Sequence, residues 1–199
     1  MNQLSKQPVS LAGIKNITIS GRLATGKSTL ARHLGEILDW EILDGGAIIR
    51  EYMHSNQISV KDTLKRPDQF DLDFEKSIEE LLKNEEKHIV QAHLSGFSAQ
   101  GIDGVYKILV VCNDELGEDK QSIRIDRIIN RDQVSAKQAR IEVLQREEEN
   151  LIKYRRLYAN NDKNWVYWDE KYYDLIVNTF SLNQKESLQY VLKHVKKDV

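Results

Sequence analysis

The chain has 199 residues, with 29 Lys plus Arg against 31 Asp plus Glu, a net charge of −2. That length fits a single domain that folds without disulfides or a structural metal. The near-neutral balance argues against coating nucleic acid or an acidic membrane. The one cysteine, Cys112, excludes an internal disulfide and a multi-cysteine metal site; it lies in the apolar run ILVVC and reads as a small core residue. No signal peptide and no apolar stretch of about 20 residues is visible, so a cytosolic, reducing compartment is expected.

In chain order, residues 1–13 carry no strong pattern and are expected to form a mobile arm. Residues 15–20 (KNITIS) alternate β-branched and polar side chains and read as a strand. A glycine-bounded loop follows over 21–27. Leu30, Ala31, Leu34, Ile37 and Leu38 then recur at helical spacing over 28–39. Residues 40–43 read as a short strand, Asp44-Gly45-Gly46 as a turn, and 47–54 and 59–64 as helices. Residues 71–86 are amphipathic. Residues 88–92 and 107–112 are strands, the second apolar on both faces. A helix over 122–131 precedes Ser135, which opens a capping box with Gln138 and a helix towards Tyr158. The strand DLIVN (174–178) and a helix begun by Asn183 and Glu186 close the chain. Strands alternating with helices predict a doubly wound, parallel, five-stranded α/β sheet flanked by helices, with function at the C-terminal strand ends.

Gly21-Arg-Leu-Ala-Thr-Gly26-Lys27-Ser28 fits GxxxxGK followed by Ser or Thr, between a strand and a helix as the motif requires. The glycines let backbone N–H groups turn towards a β-phosphate. Lys27 reaches the β- and γ-phosphates, and the Ser28 hydroxyl is placed to ligate Mg²⁺. Gly21, Ala24, Thr25, Gly26, Lys27, Ser28 and Thr29 are therefore the expected nucleotide-binding residues, with ATP and Mg²⁺ as cofactors. Within this P-loop NTPase class, the absence of an NKxD segment argues against a GTPase. The strand ending Gln91-Ala92-His93 argues against a motor or transporter ATPase.

The second strand runs into LDGGAIIRE, and this strand is expected beside the phosphate-loop strand. Arg50 stands six residues after Asp44, where it can fork two hydrogen bonds onto an acceptor phosphate; the alternative is a solvated helix arginine. A kinase must also exclude water with a cationic closing segment. Residues 123–146 supply Arg124, Arg127, Arg131, Arg140 and Arg146 around a polar turn. Arg127 and Arg131, nearest the turn, are the expected catalytic pair; the alternative for each is a solvated, salt-bridged face. Arg155 and Arg156 are weaker candidates. Trp165, Tyr167 and Trp168 could stack a base or pack over helix ends.

These stretches resemble a known family. LDGGAIIR, AHLSG (92–96), QREEENLIKYRRLY (145–158) and YDLIVNT (173–179) are similar to segments of the archaeal-type cytidylate kinases among the nucleoside monophosphate kinases. The resemblance implies one kinase domain over 1–199, with a helical acceptor-binding insert over 45–87 and the lid over 123–146. It also implies CMP or dCMP as acceptor, Arg50 on its phosphate, and Asp44 near the metal or acceptor. Two positions depart from the family pattern: Gln91 and His93 stand where relatives carry an acidic residue and an arginine. Leu23 and Ala24 replace family glycines. His93 is a substitute donor to substrate or a neutral strand-end histidine. The alternatives are a kinase of another small acceptor (a sugar acid or nucleoside) and an ATP-binding regulatory protein without turnover. The partner expected is a small molecule, neither nucleic acid nor membrane, bound by a monomer or homodimer.

Overall fold

The computed structural model describes residues 11–196. Its centre is β1 (Asn16–Gly21), buried along its whole length. Ile17 and Ile19 point to one face of the sheet, while Asn16, Thr18 and Ser20 alternate to the other. Around β1 stand β2 (Glu41–Asp44), β3 (His88–Gln91), β4 (Val105–Val111) and β5 (Leu175–Asn178), all parallel, in the order β2-β3-β1-β4-β5. The five-stranded parallel sheet expected from the sequence is present. The expected position of β2 is corrected: β3 lies between β2 and β1, with Leu43 opposite Val90 and Thr18 opposite Val90 on the other side. Single-strand patterns carry no information on order. The chain leaves β1 for the edge, returns as β3, then crosses β1 to β4, so a crevice opens at the strand ends where the direction reverses.

Helices cover both faces. Helix α1 (Lys27–Leu38) lays Leu30, Leu34 and Leu38 on Ile17, Ile19 and Ile89, and α7 (Gln184–Val195) adds Val191 and Val195 beside it. On the other face, α2 (Gly45–Ser55) and α3 (Asp68–Asn84) enclose Ile49, Met53, Phe74, Ile78 and Leu82 against Val90. Asn16 ties this layer to the sheet: its amide nitrogen donates to Leu82 O and Glu85 O, and its side-chain oxygen accepts from His88 N–H. The remaining helices are α4 (Ser95–Ser98), α5 (Gln121–Asp132) and α6 (Ala136–Tyr158). Both expected capping boxes form, at Ser135 and at Asn183.

Three further expectations are corrected. Asp44-Gly45-Gly46 is the start of α2 rather than a turn: the Asp44 carboxylate accepts from Ala47 N–H at 3.0 Å as the N-cap. Gly45 is a packing glycine, since a Cβ there would come within 2.8 Å of the Phe74 ring and 2.9 Å of Ala92. The helix expected over 59–64 is only a 3-10 turn at Thr63–Lys65, because Arg66 is extended ahead of Pro67, as a pre-proline residue must be. Of the expected N-terminal arm, residues 1–10 lie outside the described residues, and Leu11 is buried in the core beside α1 and α7. Helix α4 and a 3-10 turn at Glu170–Tyr172 were not foreseen. Among the described residues, no helix is long and apolar enough to cross a membrane.

Candidate active site

The loop between β1 and α1 is built for close approach. Gly21 has φ +146°, and a Cβ there would lie 2.3 Å from Val110 O, so no other residue fits without moving β4. Gly26 (φ +105°) caps α1. Ala24 holds the left-handed region at φ +58°. An L-residue pays about 1–2 kcal/mol there. Lys27 is buried at the start of α1, and its ammonium donates to Arg22 O at 2.7 Å. Burial pushes Lys27 down to about 7, with Glu147 opposing the shift and Arg124 and Arg146 adding to it.

A cleft of about 520 Å³ opens in front of this loop. Ala24, Gly26, Lys27, Ser28 and Thr29 line it from the loop side, Arg50 from α2, and Gln91 and His93 from the end of β3. Arg127 and Arg131 of α5 and Arg146 of α6 line it from above. The structure thus gathers Lys27, Arg50, Arg127, Arg131 and Arg146 around one space, and among the described residues no Asp or Glu lines it. Gly21, Thr25 and Asp44, also expected in the site, do not line it. Thr25 Oγ1 donates to Arg22 O at 3.0 Å and bends the loop. Asp44 is engaged as the α2 cap, close enough for its charge to be felt at Lys27 and Arg131.

The arginines differ in their ties. Arg50 is exposed and has no hydrogen-bond or ion-pair partner among the described residues. Arg127 donates to Thr179 Oγ1 at 2.9 Å, Thr179 O at 2.8 Å and Ala24 O at 3.2 Å, so it joins α5 to the phosphate loop and to the end of β5. Arg131 is half exposed and forks onto its neighbour Asp132. Arg146 is buried with one ion pair, to Glu142 at 3.2 Å, and burial lowers its affinity for the proton. A buried guanidinium facing a cleft with one partner is suited to an incoming anion. Sequence spacing had favoured Arg131 over Arg146, because proximity to the turn says nothing of which helix face is buried. Arg124 does not line the cleft; it is fully buried behind the loop, and Arg140 is exposed and outside the cleft. Arg155 donates to Trp165 O and Arg156 pairs with Asp68, both outside the cleft. Trp165 and Trp168 pack on Leu94, Tyr154 and Tyr167, the helix-end packing rather than an open stacking platform.

His93 Nδ1 lies 3.0 Å from Gly21 O. A carbonyl only accepts, so Nδ1 carries the proton. Burial, reinforced by Lys27 and Arg146, holds its pKa well below the ordinary histidine value. His93 is therefore a neutral strand-end histidine that braces the loop. Ser28 Oγ donates to Gln91 Oε1 at 2.8 Å. These two neutral oxygens at the mouth of the cleft fit a magnesium ion that keeps most of its water and takes its anionic ligands from phosphate oxygens. The residues that sequence reasoning passed over, Thr179, Asn183 and Gln184, line the cleft from the loop after β5 and the start of α7; only the sheet order brings them beside β1.

No family model matches the chain. In sequence it is similar to the cytidylate kinase of Natronomonas pharaonis, 29% identical over 84% of this chain and 82% of that protein. It is 26% identical to the cytidylate kinase of Methanosarcina mazei, over 86% of this chain and 91% of the relative. In fold it is similar to a shikimate kinase from Acinetobacter baumannii, with TM-score 0.55 and 16% identity, covering 93% of this chain and 94% of that one. The chain thus shares the fold of a phosphate-loop kinase and is similar in sequence to cytidylate kinases.

Proposed function

We propose that this protein transfers the γ-phosphoryl group of ATP to a nucleoside monophosphate, with CMP or dCMP as the acceptor. One observation carries the phosphate-bearing acceptor: among the described residues, five basic side chains line the cleft and no carboxylate does. An alcohol acceptor, such as a sugar acid or nucleoside, must lose its proton as it attacks, and a general base is needed to take it. A monophosphate has its second pKa near 6 and arrives largely deprotonated at neutral pH. It needs cations to hold it and no base. The choice of cytosine rests on the sequence relatives, which are cytidylate kinases.

Phosphoryl transfer leaves the protein mainly positioning and charge stabilisation. The loop amides and Lys27 hold the donor phosphates, Ser28 and Gln91 orient the metal, and Arg50 forks the acceptor phosphate from α2. When bound, magnesium neutralises charge on the donor phosphate oxygens. The 123–146 segment acts as the lid, with Arg127, Arg131 and Arg146 turned onto the transferring group as water is excluded. Residues 45–87 form the acceptor side.

Gln91 and the neutral His93 favour a second reading, a nucleotide-binding regulatory protein without turnover. A coupled ADP-release assay across CMP, dCMP, UMP, AMP, GMP and shikimate separates the two. Turnover confined to pyrimidine monophosphates supports the kinase; tight ATP binding with no turnover on any acceptor supports the regulator.

A further inference from the structure

Behind the loop, outside the cleft, lies a closed set of charges. Glu147 of α6 is buried, unlike the neighbouring Glu148. Its Oε1 accepts from Arg22 Nε at 2.6 Å and from Arg22 Nη2, and its Oε2 accepts from Arg124 Nη1 at 2.7 Å. Arg124 also donates to Leu23 O at 2.9 Å and to Asp119 Oδ2 at 2.7 Å. Asp119 pairs with Arg22 in turn at 3.3 Å. The Arg22 guanidinium sits 4.6 Å over the Trp168 ring, which shields it from water. Two guanidinium groups and two carboxylates balance, yet the supply of partners is short: Arg124 Nε and Asp119 Oδ1 are buried with none.

We propose that Glu147 is a positioning residue that fastens Arg22 and Leu23 of the phosphate loop to the base of the lid, at Arg124 of α5 and at α6, and so holds the loop in its nucleotide-binding shape. Among the described residues, only this carboxylate reaches both the loop arginine and the fully buried α5 arginine through separate oxygens. Without it Arg124 keeps one carboxylate and one carbonyl, and Arg22 keeps one long ion pair. The loop then has to be ordered by the nucleotide itself, which weakens donor binding. Glu147 also supplies the largest favourable charge acting on Lys27, so the same carboxylate steadies the loop and its cation. The inference rests on phosphate-loop nucleotide binding and not on the identity of the acceptor.

The test is a double-mutant cycle on MgADP affinity, measured by titration calorimetry with Glu147→Gln, Arg22→Met and the pair. Each single change is expected to weaken MgADP by about tenfold or more, and the double change no further than the weaker-binding single one. Glu147→Asp restores part of the loss, and the KM for the acceptor stays within about twofold. A folded Glu147→Gln protein binding MgADP within about twofold of wild type overturns the proposal, as do fully additive effects. If Glu147→Gln does not fold, Arg22→Met decides, since that side chain is partly exposed: wild-type affinity in it overturns the proposal. Wild type that binds MgADP but turns over no acceptor defeats the proposed function and leaves this inference standing. Wild type that binds no MgADP defeats both.

Discussion

The Ser28 hydroxyl donates to the side-chain carbonyl oxygen of Gln91 across 2.8 Å, joining the first turn of α1 to the end of β3. This contact puts a neutral amide where the resemblance to cytidylate kinases leads one to expect an acid. Restoring the charge with Gln91→Glu should tighten the magnesium requirement about tenfold, since a carboxylate binds the hard cation better than an amide. The readout is the magnesium concentration giving half-maximal MgADP binding. An unchanged requirement would place the metal away from Ser28 and Gln91.

Lys27→Ala should lower turnover by at least ~10²-fold, the size of a lost electrostatic contact to a transferring phosphate. Because burial brings Lys27 to about 7, its charge is present below that pH and lost above it. Affinity for MgADP should accordingly decline as pH rises past neutrality. Steady-state kinetics and calorimetry over pH 6–9 check both (a range chosen to span about two units above and one below the titration).

Lys27 and a second buried group, Glu75 of α3, set how the free protein responds to pH. For Lys27 the unfolded chain binds more protons between about 7 and 10.5, so stability rises with pH across that window. Glu75 is buried on α3 and burial pushes it from 4.5 up to about 7, against the hydrogen bond from Ser98. Its folded form holds the proton more tightly, so its contribution is full below 4.5 and is lost as pH rises through about 7. Nucleotide-free protein should therefore show a shallow minimum of stability near neutral pH in thermal melts. Glu75→Gln should flatten the acid limb and Lys27→Met the alkaline one. Glu75→Gln should also stabilise the protein above pH 7, by on the order of 1–3 kcal/mol. A monotonic curve in wild type would contradict both assignments.

Much of this fold was legible because its signals are local. The phosphate loop is a contiguous motif, and the two capping boxes at Ser135 and Asn183 are set by side chains three residues apart. The strand order was not legible, since β2 and β3 have the same short apolar pattern and only packing decides which lies next to β1. Helix α6 buries Arg146, Glu147, Asn150 and Lys153. Its functional face is thus polar, and hydrophobic periodicity cannot mark it. That is why Arg146 and Glu147 read as part of a solvated charge run. Asp44 read as a turn residue because Asp-Gly-Gly is turn chemistry, whereas Gly45 is there to clear Phe74 and Ala92.

The lid arginines should separate by burial. Arg146→Met removes a buried cation with a single partner, and turnover should fall by 10²-fold or more with little change in MgADP affinity. Arg131→Ala, at an exposed side chain already paired to Asp132, should cost about tenfold or less. Arg127→Ala should weaken nucleotide binding as well as turnover, because its bonds to Ala24 O and Thr179 O hold the loop in place. Equal, negligible effects from all three would assign them to the protein's framework.

Arg50→Ala should lower kcat/KM for the acceptor about 30- to 150-fold, the cost of a lost charge-assisted contact of about 2–3 kcal/mol. ATP binding should stay nearly unchanged, and Arg50→Lys should recover only part of the loss because an ammonium lacks the fork. Varying each substrate in turn gives the answer. Equal weakening of donor and acceptor would remove Arg50 from the acceptor clamp.

The most direct test compares CMP with cytidine, which share the base and sugar and differ only in the phosphate. ADP release is followed with each at saturating MgATP, beside shikimate as a second alcohol. A cleft lined by Lys27, Arg50, Arg127, Arg131 and Arg146 and by no carboxylate should turn over CMP and leave cytidine and shikimate at the background rate of ATP hydrolysis. Turnover of cytidine or shikimate at a rate matching or exceeding CMP would contradict the account, for it would require His93, whose proton affinity is held low, or Lys27, assigned to the donor phosphates, to act as the base.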